Sequence, residues 1–337
     1  MASQKTVFIG IDGASFTLLN ELIDAGAMPN LERQVQEGLF TRMTAPLPDN
    51  SAVSWSSIMT GTNPGEHGIF GFTDLLPGTY TMNFPNFASL KASPFWQQRP
   101  DERHIVINLP FTYPAQELNG CLVSGFVAPK LERSVYPQTL LEKAKEKQYR
   151  IDADVKRIYK SKEMFCDDVL QTLDIRSEFY RELFQEEQWD NFMIVFTGSD
   201  RLGHYVLDAY ENREEPFYSK FVEYYQKVDA EIGWIADRLD SDTELAMVSD
   251  HGMDVIRTDV NLNTILQNNG MLFLEDKEKP KYTHILEGTK AFVLEPGRVY
   301  INDKETYPRG SVESHEREEV LNELTDLFTS LEYEGEP

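Results

Sequence analysis

Four segments of the sequence carry side chains that could bind a metal ion or attack a substrate. Asp12 follows the apolar run VFIGI, and the pair Asp250 and His251 follows TELAMVS. Asp200 and His204 follow a third apolar run with the spacing D-x-x-x-H, which puts both side chains on one face of a helix. Because carboxylate oxygens and imidazole nitrogens are typical ligands of zinc, these residues indicate a metal site if the fold gathers them.

A fourth segment supplies a candidate nucleophile, Ser51. It opens the stretch SAVSWSSIMTG, which has helical character, and helix N-termini attract phosphate groups. A serine hydroxyl is hardly ionised at neutral pH, so it would need activation, which a bound metal ion can supply. Together the segments predict two divalent ions about 4 Å apart that clamp the attacking and leaving oxygens of a phosphoryl displacement.

Each segment also has a structural interpretation. A serine at a helix start is commonly an N-cap, and Asp-Gly after a strand is typical of a turn or a helix cap. An isolated D-x-x-x-H is common by chance, and Asp-His after a strand also fits an Asx turn with an incidental histidine. The conjunction of three such strand ends with one hydroxyl favours a site. The remaining histidines are predicted to lie in loops or on the surface: His67, His104, His284 and His315.

The elements that must position these residues alternate along the chain. Apolar runs of strand length are nearly continuous, as buried parallel strands are, and lie at 7–11, 104–109, 121–126, 191–198 and 243–249. Between the last two, apolar residues recur every three or four positions from Phe217 to Ile235, which predicts an amphipathic helix. We therefore predict an α/β fold with a mostly parallel central sheet, helices on both faces, and a crevice at the carboxyl ends of the strands.

The pattern predicts one α/β domain over residues 1–337 with two additions. Residues 131–190 are charged and helix-rich, which indicates an inserted helical cap segment. Residues 261–302 form a smaller irregular insertion whose FVLEPGRVYIN resembles a hairpin. The stretch EREEVLNELTDLFTSL predicts a last amphipathic helix, and SLEYEGEP after it is typical of the edge of a strand.

The composition argues against some classes of binding partner. With 56 Asp and Glu against 32 Lys and Arg, the net charge of −24 argues against a nucleic-acid partner. No run approaches the ~20 apolar residues that span a bilayer, and the start MASQKTVFIGID is unlike a secretory signal. Cys121 and Cys166 fit reduced core residues. We expect a cytoplasmic protein with a small phosphorylated substrate and no membrane partner; the oligomeric state stays open.

In chain order, IDGAS, SSIMTGTNPGEHGI, FTGSDRLGH and VSDHGM resemble the alkaline phosphatase superfamily, and within it the soluble prokaryotic branch of the type I phosphodiesterase / nucleotide pyrophosphatase family. The T-G-x-x-P-x-x-H-G-I run places Ser51 at the position of that family's nucleophile. The resemblance implies an alkaline phosphatase-like fold. It also implies hydrolysis of phosphodiesters or nucleotide pyrophosphates through a covalent phospho-serine.

The resemblance further implies two divalent ions, zinc or alternatively manganese. One would be bound by Asp12, Ser51, Asp250 and His251. The other would be bound by Asp200, His204 and a further histidine, which in the family follows the last helix. The sequence stops at Pro337 before a match to that histidine, so we expect a chain that is incomplete at its C-terminus. Alternatively His284, His315, water or substrate completes the second site.

Other functions stay open at this point. Phe72 stands where extracellular members carry an Asn that stabilises the transition-state oxygen, and Phe cannot donate a hydrogen bond. The alternatives are a phosphomonoester hydrolase, a phosphotransferase similar to the cofactor-independent phosphoglycerate mutases, and a metal-binding module without turnover. A sulfatase is excluded because Ser51 is followed by AVSW rather than by the x-P-x-R context of that class.

Overall fold

The computed structural model describes residues 4–276, 278, 281–294 and 297–333. The chain forms two compact units. The first, here called the sheet unit, comprises Met1–Ile69 and Asn86–Val255. The second, the small unit, comprises Phe70–Pro85 and Ile256–Pro337.

The strands and helices are numbered in chain order. The described strands are β1 (Thr6–Ile11), β2 (Asp74–Leu75), β3 (Met82–Asn83), β4 (His104–Leu109), β5 (Gly120–Ser124), β6 (Val135–Tyr136), β7 (Asn191–Phe196), β8 (Glu244–Val248), β9 (Ala291–Leu294) and β10 (Arg298–Ile301). The described helices are α1 (Phe16–Asp24), α2 (Pro29–Glu37), α3 (Ser51–Thr60), α4 (Pro64–His67), α5 (Phe95–Gln98), α6 (Leu140–Glu146), α7 (Lys162–Glu186), α8 (Gly198–Glu211), α9 (Phe217–Ala236), α10 (Leu262–Asn268) and α11 (Arg317–Thr329).

The sheet unit is built on a six-stranded sheet with the order β6-β5-β4-β7-β1-β8 among the described residues. Neighbouring strands are parallel except β6, which pairs antiparallel with β5. The predicted mostly parallel sheet is therefore confirmed, and each predicted strand agrees with an observed one to within two residues. β1 lies between β7 and β8, so the carboxyl ends of these three strands lie side by side.

Helices complete the sheet unit. β4 is buried at all six positions, as expected of a strand with both faces covered. The predicted helix from Phe217 is confirmed as α9, but α8 precedes it as a separate helix. The two helices are separate because α8 ends at Glu211 and Pro216 stands at the N-cap of α9.

The expected cap segment, residues 131–190, takes part in the sheet unit's packing. β6 pairs with β5, and α7 buries Phe165, Leu173 and Tyr180 in the same apolar core as the central strands. Cys121 and Cys166 are free and buried in this core. The division of the chain into one domain with two additions stays a prediction, because dense packing does not decide which segments fold on their own.

The small unit contains the stretch 261–302. β9 and β10 pair antiparallel, with Ala291 opposite Ile301, which confirms the predicted hairpin, although residues 295–296 lie outside the described residues. The predicted last helix is confirmed as α11. Of the strand edge predicted at 330–337, residues 334–337 lie outside the described residues. None of the described helices combines the length and apolar character that crossing a membrane requires.

Candidate active site

Three buried carboxylates lie at the carboxyl ends of the neighbouring strands. Asp12 directly follows β1, Asp200 lies in the first turn of the helix after β7, and Asp250 comes two residues after β8. Each is at most 2% exposed. Buried carboxylates are rare unless they are paired or hold a cation, so three of them at one edge of the sheet indicate a functional site.

Among the described residues, Asp12, Asp250 and His251 form a close group of side chains of the types that bind metal ions. One ligand atom from each lies within 4.8 Å of the others. Nε2 of His251 is 3.3 Å from Oδ2 of Asp250 and 3.8 Å from Oδ1 of Asp12. Gly13, at φ +69°, donates its N–H to Oδ1 of Asp250 at 3.0 Å. Oδ2 of Asp250 is buried and has no hydrogen-bond partner, so one acceptor of this group is unsatisfied by protein donors.

The His251 ring is oriented by its backbone surroundings. Its Nδ1 lies 2.9 Å from the carbonyl oxygen of Gly252, and because a carbonyl can only accept, Nδ1 carries the proton. Nε2 is then the ring nitrogen that faces the carboxylates. This is the arrangement found in metal-binding histidines, whose second nitrogen donates to a backbone carbonyl or a carboxylate.

Ser51 is the first residue of α3. The N-cap is Asn50, whose Oδ1 accepts the N–H of Val53 at 3.3 Å, so the interpretation of Ser51 as the cap is wrong. The Ser51 hydroxyl is thereby left for the site: its Oγ lies 3.0 Å from Nε2 of His251 and 3.5 Å from Oδ1 of Asp12. The predicted nucleophile and three predicted metal ligands therefore share one location.

Trp55 holds Asp12 from the side of α3. Its Nε1 donates to Oδ2 of Asp12 at 3.0 Å, and its ring is fully buried. The ring reaches β1 at Gly10, where a Cβ atom would lie 2.4 Å from Cη2 of Trp55. No sequence motif pointed to Trp55, although a glycine inside an apolar strand is a signal that another group approaches closely.

Asp200 and His204 lie one turn apart on α8, as the D-x-x-x-H spacing predicts. Nε2 of His204 is 3.3 Å from Oδ1 of Asp200, and the His204 side chain is 54% exposed. The same Oδ1 lies 4.0 Å from Nε2 of His251. This second pair therefore joins the first group through Asp200 while His204 faces solvent.

Arg201 is a cation within the site to which no sequence pattern assigned a role. Its Nη1 donates to Oδ2 of Asp200 at 3.0 Å. Its Nε and Nη2 donate to both carboxylate oxygens of Asp152 at 2.7 to 3.1 Å. The guanidinium stacks on the ring of Phe126 at 4.3 Å. The motif FTGSDRLGH displayed the residue, but nothing in the sequence connected it to residue 152.

Burial and mutual repulsion control the charges here. Burial raises the pKa of Asp12 well above its ordinary value, and the carboxylates of Asp250 and Asp200 raise it further. Burial also raises the pKa of Asp250, although His251 partly offsets this. For Asp200, burial alone would raise the pKa, but the hydrogen bond of His204 and the charges of His204 and Arg201 outweigh it and lower the pKa.

The donor set fits a divalent cation. Two carboxylates whose ionisation is opposed by burial and by each other gain most from a cation between them. Oδ2 of Asp250 is an acceptor with no protein donor, and Nε2 of His251 lies 3.3 Å from it. Oxygen and imidazole nitrogen are the ligands that zinc takes in catalytic sites.

Two of the other histidines correct the sequence-based expectation. His67 and His104 are completely buried, not in loops or on the surface. His67 ends α4, and its Nε2 lies 3.0 Å from Oγ of Ser57. His284 and His315 belong to the small unit.

Residues 6–336 match the family model of the type I phosphodiesterase / nucleotide pyrophosphatase family. The chain belongs to this family, as the ordered motifs predicted.

The chain also resembles a solved hydrolase in its fold. The fold is similar to phosphonoacetate hydrolase from Sinorhizobium meliloti 1021. The TM-score is 0.54 at 16% identity for its complex with phosphonoformate, and 0.55 at 15% identity for its complex with phosphonoacetate. Both alignments cover 79% of this chain and 62% of the hydrolase chain. This likeness confirms the alkaline phosphatase-like α/β fold.

A curated relative is similar over a shorter stretch. GPI ethanolamine phosphate transferase 3 of Saccharomyces cerevisiae is 34% identical over 88 residues, which is 25% of this chain and 8% of the transferase. The chain therefore spans less than two thirds of the length of either protein.

Proposed function

We propose that the protein is a metal-dependent hydrolase of phosphoric esters, of the phosphodiester or nucleotide pyrophosphate type, with Ser51 as its nucleophile. The observation that carries this proposal is the position of the Ser51 hydroxyl, 3.0 Å from His251 and 3.5 Å from Asp12 at the start of a helix. Membership of the phosphodiesterase family supports it.

The residues divide into two proposed ion sites. Asp12, Ser51, Asp250 and His251 would hold one divalent ion, and Asp200 with His204 would contribute to a second. Zinc suits this donor set, and manganese is the alternative. Such ions would stabilise the Ser51 alkoxide and neutralise the charge of the phosphoryl group.

The chain's own groups perform the remaining steps. Oγ of Ser51 gives its proton to solvent and bonds to phosphorus while the bond from phosphorus to the leaving oxygen breaks. The leaving oxygen takes up a proton and departs as an alcohol, and the phosphoryl group, which in a diester keeps its second ester bond, stays on Ser51. Water then attacks phosphorus, the bond to Oγ breaks, and Ser51 regains its proton. In the first turn of α3 the N–H of Val53 is bonded to Asn50, whereas helix geometry leaves the N–H groups of Ser51 and Ala52 without a partner in the helix, so these two suit the binding of phosphoryl oxygens.

A serine, histidine and aspartate are also the parts of a hydrolytic triad, but their geometry here argues against one. In a triad the serine and the aspartate contact opposite ring nitrogens of the histidine. Here Ser51 and Asp250 both face Nε2 of His251, and Nδ1 faces the carbonyl of Gly252. This favours a metal ligand over a general base.

The test compares two serines of α3. Ser54 is buried one turn after the start of the helix, and its hydroxyl has no hydrogen-bond partner, so Ser54→Ala is a matched control. With zinc or manganese present, we expect Ser51→Ala to lose at least ~10³-fold in kcat on bis(p-nitrophenyl) phosphate. Ser54→Ala should keep turnover within about threefold, in line with the small effects of substitutions outside special sites. Equal activity of the two variants would overturn the assignment.

The name of one relative favours a second candidate, transfer of the phosphoryl group to an alcohol instead of water. One relative is named an ethanolamine phosphate transferase and the other a phosphonate hydrolase. Three assays would separate these activities from that of a diesterase. Glycerol or ethanolamine as acceptor detects a transferase. p-Nitrophenyl phosphate detects a monoesterase, and phosphonoacetate detects a phosphonate hydrolase. The small phosphorylated substrate and the cytoplasmic location stay predictions.

A further inference from the structure

We propose that Arg201, fixed by Asp152, is a positioning residue that selects which oxygen of Asp200 faces the second ion site. The inference rests on the proposed function, because it needs the carboxylates to bind metal. Arg201 lies inside the motif FTGSDRLGH without a role there, and Asp152 lies outside the ordered motifs; neither belongs to the ligand set.

The contact between Arg201 and Asp200 is not one that a helix provides by itself. Consecutive helix residues point about 100° apart and do not face each other. Arg201 nevertheless reaches back to donate to Oδ2 of Asp200 at 3.0 Å. Two groups outside the helix stabilise that conformation: Asp152, which accepts from both Nε and Nη2, and Phe126, whose ring lies 4.3 Å from the guanidinium.

The contact has a consequence for the ligand. Since Oδ2 of Asp200 accepts from Arg201, Oδ1 is the oxygen that faces Nε2 of His204 at 3.3 Å and Nε2 of His251 at 4.0 Å. Without the guanidinium, the carboxylate could rotate about χ2 and present either oxygen. Outer partners that orient a metal-binding carboxylate in this way commonly contribute 10- to 100-fold, as an order of magnitude, to metal affinity.

Charge alone would not explain this arrangement. The Arg201 side chain is 15% exposed, and its planar fork binds one carboxylate through two nitrogens while the third nitrogen reaches another carboxylate. A lysine has the charge but only a single nitrogen, so it cannot make both contacts with the same geometry. Asp152 lies in the charged segment 131–190, so the ion pair between Asp152 and Arg201 connects this segment to the site.

The chain offers a matched control at Arg181. Its Nε and Nη2 donate to the two oxygens of Glu231, both at 2.9 Å, and its guanidinium lies 5.0 Å from the ring of Trp234. It therefore has the same two-nitrogen pairing and the same aromatic stacking as Arg201. It makes no contact with the proposed ligands.

The experiment is zinc titration of the metal-free full chain by calorimetry, with circular dichroism to verify folding. We expect Arg201→Gln to weaken the weaker of two zinc sites at least ~10-fold and to change the tighter site less than about threefold. Asp152→Asn, which retains the Arg201 side chain but weakens its anchor, should act in the same direction, and Arg201→Lys should not restore affinity. Arg181→Gln should leave both sites unchanged.

Each outcome decides something. Equal zinc affinities in Arg201→Gln and Arg181→Gln would overturn the inference and leave the proposed function standing. Full rescue by Arg201→Lys would overturn positioning by the fork. If Arg201→Gln does not fold, Asp152→Asn decides alone, and wild-type affinity in that variant overturns the inference. Failure of the wild-type chain to bind zinc or manganese would overturn the metal dependence in the proposed function, and this inference with it.

Discussion

Oδ2 of Asp250 lies 3.3 Å from Nε2 of His251, the nitrogen that also faces Oγ of Ser51 at 3.0 Å. Nε2 thus lies between a carboxylate and a hydroxyl, and the other ring nitrogen, Nδ1, faces a backbone carbonyl. Donors that converge in this way suit a shared cation better than a proton relay, in which the partners occupy opposite nitrogens.

Asp250→Asn should separate metal binding from stability. The amide oxygen can still accept from Gly13. The wild-type carboxylate is buried and its Oδ2 has no hydrogen-bond partner, and the variant replaces it by a neutral amide. We expect zinc affinity at the tighter site to fall at least ~100-fold. The metal-free variant should be more stable than the wild type by about 1 to 3 kcal/mol at neutral pH, because an unpaired buried charge is removed. Urea unfolding with a chelator measures the second effect; a variant less stable than the wild type would contradict it.

His251→Gln should distinguish a ligand from a general base. If His251 binds the ion, the variant loses zinc affinity and turnover together, and excess zinc restores part of the activity. If His251 only accepts the Ser51 proton, zinc affinity stays at the wild-type value while kcat falls. Zinc titration beside steady-state kinetics on the same preparation decides between them, and unchanged zinc affinity would count against our account.

His67 should make the fold sensitive to acid. Its Nδ1 accepts the N–H of Ile69 at 3.1 Å, and burial lowers the pKa of the ring from 6.5 to about 4. The unfolded chain therefore takes up the proton at higher pH than the folded one. This contribution to stability is complete above pH 6.5 and is lost as the pH falls toward 4. By linkage it amounts to about 3 kcal/mol.

The control is His67→Asn, which keeps an acceptor for Ile69 but does not titrate in this range. We expect the free energy of unfolding of the wild type, relative to His67→Asn, to fall by about 3 kcal/mol between pH 7 and pH 4. Urea unfolding at the two pH values with a chelator present measures it. A difference between the two proteins that does not change with pH would refute the buried neutral ring.

Gly10→Ala should disturb Asp12 from a distance. The added methyl group would overlap Cη2 of Trp55, and Nε1 of the same side chain donates to Asp12. We therefore expect a loss of about 1 to 3 kcal/mol in stability and weaker zinc binding. Trp55→Phe removes the overlapping ring atom, so the double variant should be destabilised by less than the sum of the single changes. Strict additivity in urea unfolding would show that the methyl group acts elsewhere.

The sequence predicted the elements and the strand ends better than the partners of each side chain. Continuous apolar runs identify buried strands, and the D-x-x-x-H spacing places Asp200 and His204 on one turn, because both signals depend on local periodicity. That β1 lies between β7 and β8 is a long-range choice of strand order. It follows only from the folded structure, and it is what brings Asp12 beside the other two carboxylates.

The missed residues share a physical reason. Trp55 contacts Asp12 across 43 positions, and Asp152 contacts Arg201 across 49, so no periodicity relates either pair. The choice of N-cap was also beyond the sequence, since Asn50 and Ser51 are both favourable cap residues and stand next to each other. His67 and His104 show the same limit, because a single polar residue carries no signal of its burial.

The most direct test of the central claim is acid quenching of the zinc-loaded protein during turnover of bis(p-nitrophenyl) phosphate, followed by peptide mass spectrometry. We predict a nitrophenylphosphoryl group on the peptide that contains Ser51, present in the wild type and in Ser54→Ala and absent in Ser51→Ala. A covalent adduct on a different residue, or turnover with no adduct on Ser51 at any quench time, would contradict the account.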